Sequence, residues 1–145
     1  MAPGTPARSR PRTVISMMRT MLQAKIHAAT VTDSDLHYEG SCGIDAALLE
    51  AAGILPNQGI DVYNVSNGER LTTYAIVEPA GSGKITMNGA AARRVAPGDK
   101  VIICAYATYS SEELESYSPV IVIVGPDNRP LRAAERLRIE PQRGA

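Results

Sequence analysis

A small, mainly β single domain is what the sequence predicts, on three observations. The chain has 145 residues, a length suited to one domain with its own buried core. It contains no Phe, no Trp and six Tyr, so the core must be built from Val, Ile, Leu, Ala and Met, which suits short strands rich in β-branched residues. Its apolar residues fall in short alternating runs with brief helical stretches between them. No regular strand–helix–strand rhythm appears, and a small β-barrel accommodates that pattern.

The elements follow in order. Residues 22–32 alternate loosely and end in β-branched residues, as a strand does; Lys25 and His27, two apart, project from one face of it. Asp33-Ser34-Asp35 reads as a turn, and Leu36 to Cys42 as a polar stretch. Asp45 supplies an N-cap oxygen for a short helix (AALLEAA) that Gly53 closes. Residues 59–65 and 70–77 are alternating strands joined by Asn67-Gly68, a strong hairpin signal. A short strand at 84–87 runs into Asn88-Gly89-Ala90-Ala91-Ala92. Pro97-Gly98-Asp99 turns the chain into a strand at 100–108, a helical turn or two follows at 111–117, and a last strand spans 119–124. From Pro126 onward the chain reads as a tail. The expected organisation is a disordered extension at 1–17, which a start codon assigned too early would also explain, then a domain at 18–125 and a disordered tail at 126–145.

The formal charge is zero but unevenly spread. Residues 1–20 carry four Arg and no acid, residues 126–145 five Arg and three acids, and the body between them six basic and twelve acidic residues. An acidic body argues against a nucleic-acid partner. No run approaches the roughly 20 apolar residues of a membrane span, so no membrane partner is expected. Two cysteines, Cys42 and Cys104, without metal-type spacing, fit a reducing, cytoplasmic setting.

Tyr38-Glu39-Gly40-Ser41-Cys42 is where chemistry is conceivable. A Gly-Ser bond is ordinarily a loop. Gly also lets the backbone adopt a strained shape that offers its carbonyl to the next hydroxyl. Attack by Ser41 Oγ on the Gly40 carbonyl would move the acyl group from nitrogen to oxygen, given donors for the oxyanion. Elimination from that ester, followed by hydrolysis with loss of ammonia, would leave a pyruvoyl group at position 41.

The run MLQAKIHAATVTDSDLHYEGS, residues 21–41, closely resembles the start of bacterial aspartate 1-decarboxylases. Asn67-Gly68-x-Arg70-x-x-Thr73-Tyr74-Ala75-Ile76, the Asn88–Ala92 run and Pro97-Gly98-Asp99-x-Val101-Ile102 resemble three further blocks of that family, in order and with family-like spacing. The resemblance covers about residues 18 to 125. It implies a double-psi β-barrel that assembles as a homotetramer with active sites between subunits. It also implies self-cleavage of an inactive precursor at Gly40-Ser41, and a carboxy-lyase converting L-aspartate to β-alanine and CO2 for pantothenate biosynthesis. The cofactor would be the Ser41-derived pyruvoyl group, which takes the substrate as a Schiff base, with no metal and no pyridoxal phosphate. Whether a maturation factor assists is left open.

Residue by residue, the resemblance implies that Tyr74 donates the proton to the former α-carbon. Arg70 grips a substrate carboxylate through its planar fork, and Lys25 adds a second positive charge. Thr73 serves both cleavage and substrate binding. Gly89, Ala90 and Ala91 form a backbone cradle that Asn88 orients, and Tyr38 lines the pocket. Cys42, Arg93 and Arg94 are given no role, and that of His27 stays open. Thr73 and Tyr74 are neighbours on one strand, so both facing one pocket would require an irregular backbone.

Two other readings compete. One is a cysteine hydrolase using Cys42 with His37 or His27, for which no orienting third group is visible. The other is a non-catalytic β-barrel module binding through its basic ends, weakened by the lack of Phe and Trp on which bases would stack.

Overall fold

The computed structural model describes residues 3–5, 17–131 and 135–136. Nine strands, one α-helix and three short 3-10 turns make up the described chain, which is mainly β. The strands are β1 (Arg19–Thr30), β2 (Asp33–Asp35), β3 (Ser41–Asp45), β4 (Gly59–Asn64), β5 (Arg70–Glu78), β6 (Ile85–Asn88), β7 (Lys100–Tyr109), β8 (Val120–Ile123) and β9 (Glu135–Arg136). The helix, α1, is Ala46–Ala52. All nine strands hydrogen-bond in the order β2-β6-β3-β5-β4-β7-β1-β8-β9.

That order closes on itself. Only Val31 and Thr32 separate β1 from β2, so the two behave as one bent strand whose first part pairs with β7 and whose last part pairs with β6. Thr32 reinforces the corner by donating its backbone N–H to the carbonyl of Ile85 at 2.8 Å. Closure leaves few free edges and encloses the core. Ile26, Ile44, Leu48, Ile60, Val62, Ile85, Met87, Ile103 and Val122 are fully buried there. Each contributes about 1.5–3 kcal/mol relative to an exposed side chain. The expected single-domain β-barrel is thus found, with aliphatic side chains filling the place of the absent aromatics.

Local signals place most elements. Asp45 accepts the Ala47 N–H at 2.8 Å and caps α1, and Gly53 ends it at φ 71°, where a side chain would be strained. Asn67 and Gly68 lie in the turn that joins β4 to β5.

Three expectations are corrected. Asp33–Asp35 is a strand rather than a turn, because β6 offers it a parallel partner. Ser41–Asp45 is a strand that the sequence did not signal; it lies between β5 and β6 and is buried at every position, so it shows no alternation. The folded chain also runs past the boundary expected at residue 125. Pro126–Asn128 form a 3-10 turn, and buried Asn128 donates from Nδ2 to the carbonyls of Thr30 and Gly83 while its Oδ1 accepts the Thr30 N–H. Most of the expected 1–17 extension, and 132–134 and 137–145 of the expected tail, lie outside the described residues.

Candidate active site

The site follows from where β3 begins. On one side β3 runs parallel to β5 from Cys42↔Ala75 onward; on the other it runs antiparallel to β6, starting at Ser41↔Asn88. Upstream of Ser41 the chain leaves the sheet. The stretch Arg70–Tyr74 of β5 is therefore paired only with β4, while β6 continues into the 3-10 turn Gly89–Arg93. Between that turn and the unpaired edge of β5 lies a pocket of about 480 Å³, lined by Gly40, Leu71, Thr72, Thr73, Tyr74, Asn88, Ala90, Ala91 and Arg94.

Ser41 is 1% exposed. Its Oγ donates to the carbonyl of Glu39 at 3.1 Å and accepts from Asn88 Nδ2 at 3.1 Å. Gly89 takes φ 65°, and a Cβ there would fall 2.7 Å from Gly40 Cα and 3.0 Å from the Tyr38 carbonyl oxygen. Only glycine allows the turn to press on the Gly40 segment.

Of the residues expected to act together, Gly40, Thr73, Tyr74, Asn88, Ala90 and Ala91 line this pocket; Ser41 and Gly89 do not line it but touch residues that do, Ser41 Oγ bonding Asn88 and Gly89 packing on Gly40. Thr73 and Tyr74 do so without the irregular backbone expected: the β4–β5 register runs unbroken from Tyr63↔Arg70 to Gly59↔Tyr74. The pocket lies along the free edge of β5 rather than over one of its faces, and an edge is reachable from consecutive residues.

Other expected residues lie elsewhere. Arg70 is in an adjoining groove of about 430 Å³ with Asp61 and Tyr63, which shares Leu71, Thr72 and Arg94 with the first. Its guanidinium stacks over the Tyr63 ring, 4.8 Å from the centroid. Tyr38 borders a third groove with Asp33, Asp35 and Glu78 instead of the Gly40 pocket; Asn88 touches both. Lys25 is in a cross-strand row with Cys104, Asp61 and Thr72, three strands and so roughly 14 Å from β5. His27 pairs with Ile123 of β8, and its Nδ1 is buried without a partner among the described residues. Burial first, and then Lys25, hold its imidazole below the usual pKa.

Cys42 is fully buried, and that burial pushes its thiol up to about 12. A thiol so hard to ionise is a poor nucleophile. His37 is in an exposed turn, its backbone N–H bonded to Asp35. The cysteine-hydrolase reading is thereby dismantled.

Arg94 was missed. It stands two residues after the alanine run, behind Arg93, and nothing in its spacing marks it, yet it borders both the Gly40 pocket and the Arg70 groove.

The aspartate decarboxylase family model matches residues 17–131, nearly all of the described chain. The chain belongs to the aspartate decarboxylase family. It is 58% identical over 113 residues to the aspartate 1-decarboxylase of Methylibium petroleiphilum, covering 78% of this chain and 94% of that protein. Against the aspartate 1-decarboxylase of Thioalkalivibrio sulfidiphilus the identity is 52% over 124 residues, covering 86% of this chain and 98% of the other. That of Syntrophus aciditrophicus is 56% identical over 113 residues, with 78% and 97% covered. The matched span begins within two residues of β1 and ends at Leu131, just beyond the Asn128 clamp.

Proposed function

We propose that this chain is the precursor of an aspartate 1-decarboxylase that converts L-aspartate to β-alanine and CO2, the β-alanine going to pantothenate. The observation that carries this reading is the Gly40–Ser41 bond at the wall of the Thr73–Tyr74 pocket, with Asn88 holding Ser41 Oγ and Gly89 pressed on Gly40.

Maturation begins when Ser41 Oγ adds to the Gly40 carbonyl carbon. The Gly40–Ser41 C–N bond breaks, leaving an ester and a free amine at position 41. Loss of the position-41 α-proton and cleavage of the Cβ–Oγ bond release Gly40 as a carboxylate. The dehydroalanine left behind takes up water and loses ammonia. Thr73, on the same pocket as Gly40, is the donor for the oxyanion of the first step.

The residues around position 41 fit the group so made: the Gly89 φ and the small Ala90 and Ala91 leave room beside it. A pyruvoyl carbonyl supplies an electrophile for the substrate amine and a sink for the electrons that the departing carboxylate leaves. The chain's own residues do the rest. Ala90 and Ala91 present main chain to the substrate, Arg70 grips the carboxylate that stays, and Tyr74 delivers a proton to the former α-carbon. Lys25 is supplied by a neighbouring copy in a homotetramer with sites between subunits. That assignment is supported by its distance from the pocket of its own chain and by exposed Tyr74 and Tyr106 on the outer face. Among the described residues no helix is long and apolar enough to cross a membrane, and a cytoplasmic setting accords with free Cys42 and Cys104.

Intact mass and a β-alanine assay test the reading together. Purified protein should split into a piece ending at Gly40 and one beginning with pyruvoyl, and then produce β-alanine from L-aspartate. A chain that stays whole through long warm incubation, and also after lysate of its source is added, would sink it.

A further inference from the structure

We propose that Arg94 is a substrate-binding residue of this site, the cation inside the Gly40 pocket that selects a dicarboxylate. The inference rests on the functional reading above and deepens it. Among the described residues lining the Gly40 pocket, Arg94 alone carries a charge. It also borders the adjoining groove that holds Arg70, so two guanidinium groups flank the wall of Leu71 and Thr72.

The backbone of Arg94 is pinned. Its carbonyl accepts from Asn64 Nδ2 at 3.1 Å and from Asn67 Nδ2 at 2.9 Å. Its side chain is 54% exposed: Nη1 donates to the Arg70 carbonyl at 2.6 Å, a short charge-assisted bond, and Nε is 3.8 Å from Glu69 Oε2. An exposed pair at that distance holds weakly. A guanidinium has five N–H donors in a fixed fork, so donors remain for an incoming anion. The main chain and the Arg70 carbonyl fix where the group sits, and the loose pair with Glu69 yields to a closer anion.

The chemistry calls for such a residue. L-Aspartate brings two carboxylates and must lose only one, and the one that stays needs a counter-charge close to position 41. An anion between Arg94 and Arg70 would also offset the repulsion of two neighbouring cations. A monocarboxylate amino acid would leave that repulsion unrelieved, which is the basis of selection.

The test compares matured wild type with Arg94→Ala, Arg94→Gln and Arg94→Lys. Cleavage is followed by intact mass, KM and kcat with L-aspartate, Ki with succinate (a dicarboxylate without the amine), and pyruvoyl reactivity by hydroxylamine trapping. In Arg94→Ala and Arg94→Gln, KM and succinate Ki should rise together by about tenfold or more, as loss of a charge-assisted contact does, while kcat moves by less than about threefold. Cleavage and hydroxylamine trapping should be unchanged, and Arg94→Lys should recover part of the loss because it keeps the charge but not the fork. Unchanged KM and Ki in the Ala and Gln variants would overturn the proposal. So would all three variants failing to fold or cleave, which would make Arg94 a brace for the β4–β5 hairpin. A wild type that neither cleaves nor makes β-alanine would instead overturn the functional reading, before any variant is measured.

Discussion

Ser41 and Asp45 are the two ends of β3, a buried strand of five residues, and they are held in opposite ways. Asp45 is enclosed by donors: its carboxylate accepts the backbone N–H groups of Ala47, Gly81 and Gly83, at 2.8, 2.9 and 2.9 Å. It caps α1 and ties down the loop before β6 with the same side chain. At the other end, Ser41 Oγ has one side-chain donor and one carbonyl, and Gly40 is exposed, with open space where a Cβ would be. The lesson is mechanical. Cys42 to Asp45 stay laced between β5 and β6, so the chain can break before Ser41 without the strand leaving the barrel.

The largest effect should come from the weakly held end. Ser41→Ala removes the oxygen proposed to attack Gly40, so intact mass should show one uncut chain; any cut at Gly40 in this variant would assign the nucleophile elsewhere. Next is Tyr74→Phe, which removes one oxygen from the pocket edge. Cleavage should survive while β-alanine production falls by roughly 10²–10⁴-fold, as for a lost general acid. Normal turnover would transfer the proton to another group.

The well-held end should respond in stability rather than chemistry. Asp45→Ala strips an acceptor from three N–H groups and should cost about 3 kcal/mol, seen as a melting temperature lower by roughly 10 °C. Burial alone would raise the Asp45 carboxyl, but the N–H groups of Gly83, Ala47 and Gly81, with the charge of Arg129, outweigh it and hold it below its usual 3.8. A depressed acid stabilises most when ionised. The advantage of wild type over Asp45→Ala should therefore be full above about pH 4 and shrink as pH falls through the depressed folded value. A difference that grows in acid would refute this account of the anchor.

What the sequence made legible follows the range of each interaction. Asp45, Gly53 and Asn67-Gly68 act over a few residues, and each was readable as a cap or turn. The β3 strand was not, because burial on both faces erases alternation, and neither was β2, whose Asp-Ser-Asp becomes a strand only because β6 lies alongside. Asn128 bonds across 98 residues to Thr30, and no local pattern announces that. In the site, family-like blocks singled out Gly40, Ser41, Thr73, Tyr74 and Asn88, while the geometry that joins them is a matter of register. Arg94 was set aside because the two pockets that share it exist only in the folded chain.

The smallest expected effect sharpens the contrast most. Asn88 faces Ser41 directly across the β3–β6 ladder, and its Nδ2 is the side-chain donor on Ser41 Oγ. Asn88→Ala keeps the backbone pairing, since the ladder bonds use main chain, and Ser41 Oγ still has the Glu39 carbonyl. Only the aim of the hydroxyl is loosened. A single neutral hydrogen bond contributes about 0.5–1.5 kcal/mol, which corresponds to roughly two- to twelvefold in rate. Cleavage of Asn88→Ala should slow by that factor and still go to completion, with a melting temperature much nearer wild type than that of Asp45→Ala. A time course of intact mass beside a thermal melt makes the comparison. If Asn88→Ala melts as early as Asp45→Ala, both ends of β3 are anchors and the contrast fails; if cleavage stops altogether, Asn88 takes part in the bond-breaking step itself and does not merely hold the hydroxyl.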